Sequence, residues 1–196
     1  MNDEDGFEAV RIARSVIESW VSEGKRYRPE RYPEIFNERR GVFVTLHTYP
    51  ENNLRGCIGY PEPVMPLIDA LIDAAISSTM DPRFEKVRPE ELSRLIVEVS
   101  ILTTPKLISV KDPREYPEKV KIGEDGLIVR KGFYSGLLLP QVATEHGFDA
   151  EEFLSQTCIK AGLLPDEWLK GGVDIYKFQA EIFQEISPKG EIRRIK

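Results

Sequence analysis

The sequence predicts an α+β fold, an antiparallel or mixed sheet packed by helices and divided into two lobes, on three observations. Short β-branched and apolar runs come in pairs joined by turn residues, as hairpins do. Amphipathic stripes of helical period lie between them. The regular strand-helix-strand alternation that builds a parallel sheet is missing. With 196 residues, the chain reads as one unit, 1–196, with a large lobe and a smaller one inserted or appended around 104–125.

The elements follow in order. From Phe7, the residues Val10, Ala13, Ile17, Trp20 and Val21 recur at helical spacing, with Asp3 or Asp5 as N-cap and Gly24 as the stop. Val42-Phe43-Val44-Thr45-Leu46 is a strand, Asn52-Asn53 tolerate a left-handed turn, and the chain resumes at Leu54 as the second strand of a hairpin. Val64, Leu67, Ile68, Leu71, Ile72, Ala75 and Ile76 form a second helical stripe opened by Pro63 and Pro66. Leu95 to Leu102 reads as a buried strand, apolar nearly throughout except at Glu98 and Ser100. Three prolines and many charges make Thr104 to Glu124 an excursion, after which Gly126-Leu127-Ile128-Val129 returns to strand. Gly136 to Pro140 leads into a helix reaching Glu145, and Asp149 with Glu152 opens another that Gly162 ends. From Tyr176 to Ile186, apolar and polar residues alternate as in one strand with a wet face, and Ser187-Pro188-Lys189-Gly190 turns it into a last strand, Glu191 to Ile195.

Composition narrows the function classes. Hydrophobic residues at 41% and charged ones at 31% belong to an ordinary folding chain. A net charge of −6 without a basic block removes the attraction on which non-specific nucleic-acid binding depends. Four Asn and four Gln against abundant Glu, Lys and Arg are the drift of proteins from hot environments. Two cysteines, Cys57 and Cys158, do not make a disulfide framework, so reduced thiols are expected. The acidic start lacks a signal-peptide pattern and no apolar run approaches the roughly 20 residues of a membrane span, so a cytoplasmic protein is expected. His47 and His146 stand far apart without metal-ligand spacing, and no phosphate loop or dinucleotide fingerprint occurs. No metal or cofactor is therefore expected.

Leu54-Arg55-Gly56-Cys57-Ile58-Gly59-Tyr60 is the most unusual string. Two glycines flank a cysteine within a strand, and glycine there marks a bulge or the close approach of a ligand or another backbone. In a cleft, the Arg55 cation would lower the Cys57 pKa and favour a nucleophilic thiolate. The bland reading, which spacing alone favours because buried inert cysteine is common, is a small buried thiol whose glycines relieve crowding.

The chain resembles the AMMECR family, named after the AMME-syndrome candidate gene, whose hallmark is matched by Leu54-Arg55-Gly56-Cys57-Ile58-Gly59. The likeness extends through Gly41 to Leu46, Asp81-Pro82-Arg83-Phe84, Val97 to Leu102, Gly126 to Ile128, Gly136 to Ala143 and Cys158 to Leu163, essentially the whole chain. The resemblance implies a two-lobed α+β fold, and Memo-like and radical-SAM proteins as possible partners, without supplying an activity or proven residue roles. Many relatives carry His-Gly where this chain has Asp125-Gly126, so no histidine base is assumed there.

Other candidates join Cys57. Glu98 shares a strand face with Ser100, and a carboxylate among apolar neighbours needs a partner such as Arg55 or Arg83. Asp81 and Arg83 follow a helix and could grip a planar or anionic substrate, or simply pair at the helix end. Gln141 and Glu145 form a polar edge, fit for a cleft or for solvent. The reading put first is an enzyme acting on a small molecule or a nucleic-acid base in a cleft, with Cys57 and Glu98 catalytic and Arg55, Gly56, Gly59, Asp81, Arg83 and Gln141 binding substrate. The alternative is a non-catalytic binding module working with the Memo-like and radical-SAM partners. RNA binding would need a local basic face from Arg39, Arg40, Arg55 and Arg83.

Overall fold

A computed structural model describes residues 1–195. The chain divides into two compact units, residues 1–102 with those from Glu181 onward, and Thr103–Ala180.

The first unit opens with helix α1, Asp3–Glu23. Its N-cap is Asn2, whose side chain accepts from the Asp5 N–H at 2.8 Å, so Asp3 and Asp5 serve the first turn instead of capping it. Gly24 ends the helix in the left-handed region at φ 66°. Strands β1, Val42–Thr48, and β2, Leu54–Tyr60, form the expected hairpin, with Asn52 at φ 58° in its turn. Helix α2 runs Leu67–Ser78 behind Pro66, which leaves Val64 outside the helix and exposed. Strand β3, Leu95–Leu102, completes the first run.

The second unit begins with the two-residue strand β4, Lys106–Leu107, and the short helix α3, Tyr116–Lys119. Strand β5, Gly126–Lys131, pairs with a strand the periodicity did not reveal, β6, Tyr134–Leu138, across a tight turn at Gly132. Helices α4, Pro140–His146, and α5, Ala150–Lys160, follow, the latter capped by Asp149 as its sequence predicts. A one-turn helix α6, Glu167–Lys170, precedes strand β7, Asp174–Phe178. The sheet order is β4-β7-β5-β6, and its core includes Leu127, Val129, Phe153, Leu154, Cys158 and Ile175.

The single strand expected over Tyr176 to Ile186 is in fact two. It breaks at Gln179, whose backbone is held by Thr103, and the chain continues in the first unit's sheet as β8, Ala180–Glu185. The Ser187 to Gly190 turn then leads to β9, Ile192–Ile195, paired antiparallel with β8.

The first sheet has the order β2-β1-β3-β8-β9, with β1 antiparallel to both its neighbours. Val42, Val44 and Leu46 of β1, Val97, Val99 and Ile101 of β3, and Phe183 of β8 project onto α1 and α2 and are fully buried. Each such side chain contributes about 1.5–3 kcal/mol by leaving water. The alternate residues of the same strands project to the face turned away from both helices, and Glu98 lies there, with Cys57 opposite Thr45 in the same row.

Candidate functional site

The site is built on one row across the first sheet. Thr45 stands opposite Cys57 of β2 on one side and opposite Glu98 of β3 on the other. Gln184 of β8 extends the row, its Nε2 donating to Glu98 Oε2 at 3.0 Å. His47 and Ser100, two positions along β1 and β3, fall on the same face.

Cys57 sits on the sheet's edge strand, and both its backbone groups point away from β1. Its N–H donates to Asp81 Oδ2 at 2.9 Å and its carbonyl accepts from Arg83 Nη2 at 3.3 Å. Arg83 in turn grips Asp81 through Nε at 3.1 Å and Nη2 at 2.7 Å. The Asp81-Arg83 pair thus does what a neighbouring strand would do, closing an edge that would otherwise present free backbone groups. Because these groups face outward, Thr45 and Cys57 form a non-hydrogen-bonded pair, the kind in which side chains come closest. Thr45 Oγ1 donates to Cys57 Sγ at 3.3 Å accordingly.

The electrostatics follow from this packing. Burial pushes the Cys57 thiol up, an effect that the Thr45 hydrogen bond and the Arg83 charge only partly offset and that the Glu98 and Asp81 charges reinforce. The cation that acts on Cys57 is Arg83, while Arg55 is paired with Glu91. Asp81, 2% exposed, is held well below the usual carboxylate range, first by its hydrogen bond from Arg83 and then by the Cys57 and Arg83 N–H groups, against the cost of burial.

Both glycines of the hallmark have packing reasons. A Cβ on Gly56 would lie 2.2 Å from the carbonyl oxygen of Ser78 at the end of α2. A Cβ on Gly59 would lie 2.3 Å from the Val42 carbonyl oxygen and 2.5 Å from the Phe43 ring. The close approach that glycine announces is made here by the protein's own helix and by its neighbouring strand.

Arg55 is committed away from Cys57. Its Nε and Nη2 make a two-pronged pair with Glu91 at 2.8 and 3.0 Å, and Nη1 donates to the Glu85 carbonyl. Glu91 lies below its ordinary value although burial works the other way, because Arg55 and the Arg88 N–H favour its charged form. Of the four arginines that could make a basic face, Arg40 pairs with Glu38, Arg55 with Glu91 and Arg83 with Asp81. Arg39 donates to the Val64 carbonyl.

Glu98 does not take Arg55 or Arg83 as partner, since both guanidinium groups are held by other carboxylates. Its neighbours are Gln184 and His47, whose Nε2 lies 3.7 Å from Glu98 Oε2. Both ring nitrogens of His47 are buried without a hydrogen-bond partner among the described residues. His47, Thr45 and Gln184 are the site residues that sequence reasoning missed. The signal for the first two was available: Phe43, Thr45 and His47 share one face of β1 by the same alternation that groups Glu98 with Ser100. Gln141 belongs to the second unit, exposed on α4.

Among the described residues, no group of three or more His, Cys, Asp and Glu side chains is arranged to hold a metal ion. No helix among them is long and apolar enough to cross a membrane.

Known proteins resemble this chain over its whole length. Protein MJ0810 of Methanocaldococcus jannaschii is 60% identical over 190 residues, covering 96% of this chain and 94% of that one. A protein of Thermococcus gammatolerans is 54% identical, covering 99% and 97%. The crystal structure of uncharacterized protein PH0010 from Pyrococcus horikoshii superposes with a TM-score of 0.84 at 53% identity, covering 100% of this chain and 98% of that one. These relatives come from thermophilic archaea. The AMMECR1 family profile matches residues 10–183, and with that match and these identities the chain belongs to the AMMECR1 family.

Proposed function

We propose that this protein is a binding module that takes a small polar ligand non-covalently on the face of the first sheet carrying Cys57, Thr45, His47, Glu98 and Gln184. The observation that supports it is how Cys57 is held: its N–H is taken by Asp81, its Sγ accepts from Thr45, and Arg55 is turned to Glu91. A nucleophilic cysteine needs thiolate, favoured by a nearby cation and exposed N–H groups. Here burial raises the thiol, the Cys57 N–H is taken by Asp81, and Arg55 is taken by Glu91. The Memo-like and radical-SAM proteins associated with the family would, on this reading, be partners that use the bound ligand.

The test is the pH dependence of iodoacetamide labelling of the native protein, read at each cysteine by mass spectrometry. Cys57 is expected to titrate above the ~8.5 of a free thiol, with Cys158, fully buried in the second unit's core, protected until unfolding. Labelling of Cys57 that titrates below about 7 would mark an activated thiolate and end the non-covalent reading.

A second reading, an enzyme acting by acid-base chemistry on a small molecule or nucleic-acid base, draws support from the His47-Glu98 approach at 3.7 Å. A carboxylate beside an imidazole can orient and polarise a general base. On this reading turnover disappears in both His47→Gln and Glu98→Gln.

A further inference from the structure

We infer that the polar row of the first sheet receives a protonated nitrogen: an organic ammonium, amidinium or guanidinium group that donates to Glu98, with the Thr45 and Ser100 hydroxyls beside it as further acceptors. This names the ligand class for the binding reading above and rests on that reading.

Glu98 is a largely buried carboxylate, its side chain 19% exposed, and no lysine or arginine pairs with it among the described residues. The cations of this unit that reach buried or half-buried carboxylates are already engaged: Arg14 with Glu185, Arg55 with Glu91, Arg83 with Asp81. What Glu98 receives is one hydrogen bond from the neutral amide of Gln184, on Oε2. Its Oε1 accepts none from the described residues. A carboxylate removed from most of its water without a cation is an unfavourable arrangement unless something else supplies the opposite charge.

The neighbours match a nitrogen donor and not an anion. Thr45 spends its hydroxyl hydrogen on Cys57 Sγ, which leaves its oxygen lone pairs to accept. Ser100 stands next along β3 on the same face as Glu98. His47 Nε2, 3.7 Å from Glu98 Oε2, is within ion-pair distance but too far for a hydrogen bond, and both its ring nitrogens are buried without a hydrogen-bond partner among the described residues. An ammonium offers three donors and a guanidinium five, so either can address the carboxylate and the flanking acceptors together.

The experiment uses the full chain, ¹⁵N-labelled, with the side-chain amide of Gln184 and the β1 and β3 backbone amides as reporters. It is titrated at constant ionic strength with methylguanidinium chloride, methylammonium chloride, sodium chloride as control, and methyl phosphate. Saturable shifts are expected with at least one of the two organic cations and not with sodium. Glu98→Gln, an isosteric change, should weaken that binding by about tenfold or more, the loss of one strong charge-assisted contact. Ser100→Ala, which removes one hydroxyl, should weaken it with the fold unchanged. Cation shifts no larger than those from sodium, or saturation undiminished in Glu98→Gln, would overturn the proposal. Methyl phosphate saturating the same reporters, with loss in Arg83→Gln, would also overturn it while leaving the non-covalent binding reading standing. Failure of that reading is seen separately, in the labelling of Cys57.

Discussion

Two carboxylates of the first sheet, Glu185 on the helix-covered face and Glu98 on the other, have opposite fates. Glu185 is 3% exposed and fully matched: Arg14 Nε donates to Oε1 at 3.0 Å, Arg14 Nη2 and the Val97 N–H donate to Oε2. Arg14, itself buried, spends its remaining donors on the Leu92 and Leu95 carbonyls. Glu98 has one neutral donor and an imidazole 3.7 Å away, too far for a hydrogen bond. This sheet seals a charge into its core only where α1 delivers a fixed cation from the other end of the chain. Where it delivers none, the charge remains partly open to an outside partner.

Arg14 is the cation on which the burial of Glu185 depends. Arg14→Leu would leave the Glu185 charge buried with one backbone N–H, and removing one member of such a pair costs about 3–5 kcal/mol. The double change Arg14→Leu with Glu185→Leu should recover most of that loss, because the desolvation of both charges disappears with them. Denaturant unfolding of the three variants gives the answer. A single-variant cost below about 1 kcal/mol would place Glu185 in the same class as Glu98.

Gly56→Ala comes next. The added methyl would lie 2.2 Å from a backbone carbonyl of the adjoining helix end, so strand or helix has to move. Overpacking of this kind costs about 1–3 kcal/mol. A thermal unfolding midpoint equal to the wild type's would show that the glycine is not there for the approach of Ser78.

Asp81 supplies a pH-dependent version of the contrast. Its folded-state pKa is depressed, so its contribution is fully present above the unfolded value of about 3.9 and is lost as pH falls below that value. Asp81→Asn should cost about 1–3 kcal/mol at neutral pH, through the lost charge on Arg83 and a weaker acceptor for the Cys57 N–H. The gap between variant and wild type should close on acidification below about pH 4. A gap independent of pH would mean that ionised Asp81 is not what holds the strand edge.

These contrasts mark what was legible in the sequence. The β1-β2 hairpin, both long helices of the first unit and the exceptional position of Glu98 follow from local periodicity and turn chemistry, which a single segment carries by itself. The partners of Glu98 do not, because they depend on register: Thr45 is opposite it on β1 and Gln184 reaches it from β8, 86 residues away. Alternation with apolar residues places Glu185 on a wet face. Its burial is dictated by Arg14, 171 residues distant, which occupies an otherwise unremarkable place in α1. Likewise the hallmark glycines announced a close approach correctly, but only the fold identifies the approaching groups as Ser78, Val42 and Phe43. Strand β6 escaped notice because Tyr134 to Leu138 lacks alternation and runs straight into the helix-opening Pro140.

Glu98→Gln keeps the shape of the side chain and a carbonyl oxygen able to accept from Gln184, while deleting a charge that no arginine or lysine of the described residues offsets. Relief of desolvation favours the amide, and loss of one charge-assisted hydrogen bond opposes it. The two are of similar size, so stability should change by no more than about 0.5 kcal/mol in either direction. The same substitution at Glu185 should cost several kcal/mol, since there the charge is matched by a buried guanidinium. A Glu98→Gln cost approaching that of Glu185→Gln in parallel urea titrations would mean that Glu98 is a structural ion held by the fold. A near-neutral result would mean that the protein maintains a charge its own stability does not require, which is the property expected of a group kept for a ligand.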